Sequence, residues 1–157
     1  IGLVGSEMCI RDRLDSNNDA GIQAAGVEEA KQIKYLSILF QPVESKSVWE
    51  NCAKAIVAKS DSELHEYILN MFEWLKDLNW PGFEIILKRL KLFPSSTIGY
   101  WLSYSIKKAV REKDELWLIG LAYLCTDSRI YNQLNGQEKK IMRKSMIKMN
   151  LRFKNTN

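Results

Sequence analysis

An all-α fold of about seven helices is the expectation for this chain, and three observations carry it. Leu64, Tyr67, Ile68, Met71, Phe72, Leu75 and Leu78 recur at spacings of three and four, which lays one apolar stripe along a helix. Ser47–Glu50 and Ser60–Glu63 both have the capping-box pattern, in which serine accepts from the backbone three residues on while glutamate reaches back. With three prolines and no Asn-Gly or Asp-Gly turn between alternating apolar runs, β-hairpins have no signal. Short connections favour antiparallel neighbours, so the expected architecture is a helical stack or bundle, HEAT-like in outline. Tryptophans near helix starts at positions 49, 80 and 117 fit that outline loosely.

The elements follow in order. Val4 to Arg13 resembles a translated sequencing adapter of the kind found at the ends of metagenomic proteins, so residues 1–13 are expected to be non-native and stand outside the fold reasoning. Residues 14–26 are small, polar and aperiodic and read as a linker or disordered start; a single helical domain is expected over 27–157. Its first helix spans about Val27 to Phe40, before Gln41-Pro42. The two capping boxes open helices ending near Lys59 and Leu78, with Val48, Trp49, Cys52 and Ile56 inward in the first. Pro81 sits in the first turn of the next helix, with Asn79 or Trp80 as its cap and Phe83, Ile86, Leu87, Leu90 and Phe93 inward. Thr97 caps a helix to about Glu112, burying Ile98, Leu102, Ile106, Ala109 and Val110. Asp114 caps the apolar run Leu116–Cys125, which is hydrophobic nearly all round and therefore central. After a polar loop over 126–136, a final helix from about Gln137 to Phe153 turns Met142, Ser145, Met146, Met149 and Phe153 to one side. Leu64, Ile68, Met71, Phe72, Leu75, Ile86, Leu90, Leu116, Ile119 and Tyr123 form the expected core.

Composition narrows the function classes. Hydrophobic residues at 46% and charged residues at 27% suit an ordinary folded domain. The longest apolar run is ten residues, half of the ~20 a spanning helix requires. Apart from Cys9, the cysteines are Cys52 and Cys125, which with one histidine give neither a disulfide framework nor a zinc pattern. A reducing cytoplasm is the expected compartment. Seven basic residues crowd positions 138–157 against Glu138 alone, whereas residues 14–137 are slightly acidic. The basic balance belongs to the tail.

The stretch Glu73-Trp74-Leu75-Lys76-Asp77-Leu78-Asn79-Trp80-Pro81-Gly82 and the later Asp114-Glu115-Leu116-Trp117 resemble the signature words of a family of bacterial proteins, domain-of-unknown-function family 5071. The resemblance covers roughly Ser47 to Leu124. It implies an all-helical fold and supplies no catalytic residue. Gly82 and Phe83 stand where many relatives carry small aliphatic residues.

Candidate chemistry is sparse. His65 is the only histidine, which removes most Ser-His-Asp and multi-histidine metal sites, and its place beside Leu64 fits a half-exposed helix residue. Cys52 and Cys125 fit buried small hydrophobes. No metal or cofactor is expected. Glu73 and Asp77 are four apart on an expected helix, where like charges repel, and Asp77 nears the unfavourable C-terminal end of the dipole. They answer either to an internal cation such as Lys54 or Arg89, or, with Asn79 and Trp80, to a basic partner protein. The basic face Lys139, Lys140, Arg143, Lys144, Lys148 and Arg152 suits phosphate backbones, or is the solvated back of a docked helix. The expectation is a non-enzymatic, protein-binding helical domain of the immunity or adaptor type. A nucleic-acid binder using the C-terminal helix is the alternative, and an enzyme using Glu73 or His65 the second.

Overall fold

A computed structural model describes residues 9–43 and 45–154. Every regular element among them is helical, so the fold is all-α. The chain divides into two compact units, residues 1–67 with 79–86 and residues 68–78 with 87–157, where the sequence suggested one domain. Helix lengths run from four to eighteen residues, an irregular set rather than equal pairs.

The first unit holds a helical segment at residues 9–14 (α1), then α2 (Ala20–Ala30), α3 (Trp49–Val57) and α4 (Asp61–Leu64), with 3-10 turns at Leu36–Leu39, Lys46–Val48 and His65–Tyr67. Leu14, Leu39, Cys52, Ile56 and Leu64 are fully buried in it. Residues 14–26 are not a linker: Asp19 caps α2 by accepting from the Ile22 N–H. The buried Asn51 amide donates to the Leu14 carbonyl at 2.8 Å and to Gln23 Oε1 at 2.9 Å, which fastens this segment to α3. Such long-range bonds leave no periodic trace, so small polar residues hid a helix. Of the adapter-like run, residues 4–8 lie outside the described residues; in α1 the Asp12 carbonyl accepts from Asn18 and Arg13 pairs with Glu29.

The helix expected over Val27–Phe40 is corrected. α2 stops at Ala30, and Leu36 and Leu39 are buried three residues apart, the period of the 3-10 turn they occupy. The first capping box is displaced as well, since Ser45 accepts from Ser47 and Trp49 opens α3. The second forms as read, Ser60 with Glu63. Pro81 precedes the helix rather than starting it. The Phe83 N–H donates to the Trp80 carbonyl at 3.1 Å, with Gly82 at φ 87°. Proline second and a left-handed glycine third is the type II turn pattern, and it delivers the chain to α6 (Phe83–Leu90).

The second unit contains α5 (Ile68–Glu73), a 3-10 turn at Trp74–Lys76, α7 (Ser95–Glu112), α8 (Glu115–Leu124), α9 (Ser128–Tyr131) and α10 (Gly136–Lys148). The helix expected to run unbroken to Leu78 thus tightens before its end. α8 is central, packing against α7, α10 and the Trp74–Lys76 turn. Asp114 caps it by accepting from the Trp117 N–H at 3.0 Å. Its buried side is Trp117, Gly120, Leu121, Ala122 and Leu124. Leu116 is 59% exposed, and Ile119 and Tyr123 are only partly buried, correcting three of the expected core residues. An apolar run that is hydrophobic all round carries no phase, so its leucines fall on both the buried and the open side. Leu64, Ile68, Met71, Phe72, Leu75, Ile86 and Leu90 are buried as expected.

Three further boundaries differ. α7 begins after Pro94, two residues ahead of Thr97, and leaves Val110 46% exposed. The polar loop contains α9, capped by Asp127. α10 starts with an unforeseen capping box of Asn135 and Glu138 and stops at Lys148, so Phe153 lies beyond it, edge-on to Tyr131 at 5.0 Å. Met142, Ser145 and Met146 are buried, so α10 docks its methionine face on the second unit.

The close packing of α8 yields a direct test. A Cβ on Gly120 would overlap the Leu75 carbonyl oxygen, a backbone atom that cannot swing aside. Gly120→Ala is expected to cost about 3 kcal/mol in a urea unfolding curve, the upper end of ordinary overpacking. Gly136→Ala, with open space around its Cβ, should be neutral or stabilising by about 0.5–1 kcal/mol. Equal effects of the two would contradict the packing.

Candidate functional site

The four residues of the acidic-aromatic corner do not share one helix face. Asp77 has extended backbone, φ −144° and ψ 125°, so it leaves the helical phase of Glu73. Glu73 and Asp77 belong to the second unit, Asn79 and Trp80 to the first. Glu73 is 3.6 Å from Lys108 Nζ on α7. The cation beside Glu73 is thus Lys108, while Lys54 lies 3.5 Å from Glu50. Lys108 and Lys76 both lie over the Trp117 ring, 5.8 Å and 4.7 Å from its centroid. The indole N–H of Trp117 donates to the Phe72 carbonyl at 2.9 Å. The two sequence words therefore meet in one buried structural cluster. In the first unit, Trp80 is half-buried, edge-on to Trp49 at 5.4 Å, with Lys46 over both rings.

The remaining candidates are quickly placed. His65 is exposed in a 3-10 turn. Cys52 and Cys125 are fully buried, and burial pushes each thiol up to about 12. Among the described residues no group of three His, Cys, Asp or Glu could hold a metal ion, and no helix is long and apolar enough to cross a membrane.

On α10 the basic residues have different duties. Lys139 and Arg143 lie over the Tyr131 ring at 5.5 Å and 5.9 Å, and Arg143 also donates to its hydroxyl at 2.8 Å. Tyr131 is only 5% exposed, so this ring has no free face for a base. Lys148 lies 3.9 Å from Glu115, while Lys140, Lys144 and Arg152 are exposed.

Two surfaces stand out: a hollow of about 840 Å³ on the basic face of α10, which includes Lys140, Lys144 and Ile147, and one between α7 and α10 to which no sequence pattern points. The latter, a groove of about 470 Å³, has Tyr104, Ile106, Val110 and Ile141 along it, with Lys107 and Arg111 at its edge. A second hollow, between α8 and α10, includes Leu118, Ile119 and Lys144 and adjoins this groove at Ile141; the two together are called the trough. At its α7 end Tyr100, Trp101 and Tyr104 make an edge-to-face ladder at 5.2 Å and 5.9 Å. Tyr100 and Tyr104 are 68% and 41% exposed. Glu138 is buried beside the trough, accepting from Ser103 and lying 3.7 Å from Lys107. Only the packing of α7 and α10 on α8 brings these residues together.

Two measurements check the cluster and the thiols. Trp117→Phe keeps the ring but leaves the Phe72 carbonyl without its indole donor, and should cost about 1–3 kcal/mol. A loss below about 0.5 kcal/mol would mean that this bond does not anchor the turn. Cys52 and Cys125 should stay unreactive to a thiol reagent at pH 8 until the chain unfolds, while exposed Cys9 reacts at once. Their folded-state pKa values are raised above the ordinary 9.0. The contribution to stability is thus whole below pH 9 and falls as pH rises toward about 12, because the unfolded chain loses these protons first. Stability that rises over that interval would contradict the burial.

No curated protein and no solved structure matches this chain. The family model described as Domain of unknown function (DUF5071) matches residues 49–151. That span takes in both sequence words and runs on through α10, beyond the Ser47–Leu124 stretch on which the resemblance was first drawn. With about two thirds of its length matched, the chain belongs to the DUF5071 family.

Proposed function

We propose that this chain is a non-enzymatic helical domain that binds another protein, of the immunity or adaptor type. The observation that carries this reading is the exposed aromatic ladder Tyr100–Trp101–Tyr104, set beside the apolar groove of α7 and α10. Aromatic rings and arginine are enriched in protein interfaces, where rigid side chains bury much area at little entropic cost. Tyr100 touches Trp101 edge-on and is otherwise 68% exposed, which leaves most of its ring open to a partner. The Glu73 carboxylate, by contrast, is already matched by Lys108.

The nucleic-acid alternative is less well supported by the same face. Lys139 and Arg143 are engaged with a buried tyrosine, and Phe153 packs on that ring as well. A phosphate-tracking groove works best with free ring faces among its cations, and α10 offers none among the described residues.

The test is a titration with random duplex DNA and random single-stranded RNA between about 50 and 200 mM salt. The expected result is binding no tighter than ~10⁻⁴ M at the higher salt, the ordinary non-specific level. In parallel, co-expression with the product of the adjacent gene should yield a complex that survives the same salt. Micromolar nucleic-acid binding at 200 mM salt, weakened by charge reversal at Lys140 and Lys144, would overturn the proposal.

A further inference from the structure

We infer that the trough along α7, α8 and α10 receives an acidic segment of a partner protein, one that inserts a large apolar or aromatic side chain against Val110 and Ile141. This rests on the protein-binding reading above and names the surface and the chemistry of the occupant.

Both hollows of the trough are mainly apolar, and each is lined by two cations. Val110 lies on the longest helix of the second unit and is 46% exposed, while Ile141 joins the two hollows. A valine and an isoleucine side by side at a concave surface leave apolar area that a complementary side chain can cover. Lys107 and Arg111 line the first hollow from α7, and Lys144 and Lys148 line the adjoining one from α10. Two carboxylates lie near these four cations. Glu138 is consumed by Ser103, Lys107 and the cap of α10, and Glu115 reaches only Lys148, at 3.9 Å. Among the described residues no carboxylate is within ion-pair distance of Arg111, in the first hollow, or Lys144, in the second.

Charge decides between occupants. A basic or neutral segment would bring like charge to these cations or leave Arg111 and Lys144 unmatched, and interface charges of one sign suppress wrong partners and steer right ones. A polyphosphate backbone would satisfy the cations but place nothing apolar against Val110 and Ile141. An amphipathic acidic segment satisfies both, with carboxylates at the edges and an anchor between them.

Selection from a library of random displayed peptides against the full chain tests this without knowing the partner. The enriched peptides are expected to carry Asp or Glu on either side of Trp, Phe or Leu. Their affinity should fall by at least about tenfold on the double variant Arg111→Glu/Lys144→Glu, and likewise on Val110→Asp. The double variant Lys139→Glu/Arg143→Glu, altered at the ring of Tyr131 instead, should leave the affinity unchanged. These sites are exposed except Lys139, and melting curves verify that each variant is folded before its binding is read. Basic or uncharged winners, no winners at all, or winners that bind the trough variants as well as the wild type would overturn the inference. Winners that bind elsewhere on the chain would sink this surface while leaving the protein-binding reading standing; only the nucleic-acid titration overturns that reading.

Discussion

Backbone meets backbone where α8 crosses the turn at Trp74–Lys76, and the second unit depends on that approach. Gly120 has no Cβ and so lets the Leu75 carbonyl come into contact with α8. Three residues earlier on α8, the Trp117 indole reaches the Phe72 carbonyl. In a continuous α-helix that carbonyl would receive the N–H of Lys76, four residues on; here the helix tightens to a 3-10 turn instead. A side-chain donor from α8 meets the irregular turn, and the turn brings Trp74 and Leu75 to full burial. Lys76 and Lys108 then roof the indole, and Glu73 holds Lys108.

This gives a physical role to the two sequence words. Glu73, Trp74, Leu75 and Lys76 supply the turn and its cover, while Asp114 fixes the start of α8 and Trp117 supplies the donor. The spacing between the words is the length of chain needed to leave α5, form α6 and α7, and return. In this chain the two words serve packing, and the proposed docking trough lies on other parts of α7, α8 and α10.

What could be read from the sequence, and what could not, divides along the range of the interactions. The Ser60–Glu63 box, the Asp114 cap and the apolar stripe through Leu75 are local patterns of three or four residues, and they form. The break before Leu78 is invisible because Phe72 and Leu75 are three apart, a spacing that suits an α-helix and a 3-10 turn equally. α2 escaped notice because its buried residues are Gly26, Val27 and Ala30, too small to show a stripe, and because Asn51 anchors the segment from far along the chain. Glu73 could be recognised as needing a cation, yet Lys108 lies thirty-five residues away and no local rule selects it. The trough was hidden for the same reason. Val110 fits an inward phase on α7, and only the placement of α10 leaves it open.

If the α8 crossing is the element on which the second unit rests, its amides should be the last to open. Native-state hydrogen exchange measures this residue by residue. Amides of residues 71–76 and 118–122 are predicted to exchange only through global unfolding, with one common free energy and the full denaturant dependence. The last turn of α10, which ends in a left-handed Asn150 and an exposed tail, should open earlier. Exchange of residues 118–122 through a low-energy local opening, while α10 stays protected, would contradict this account.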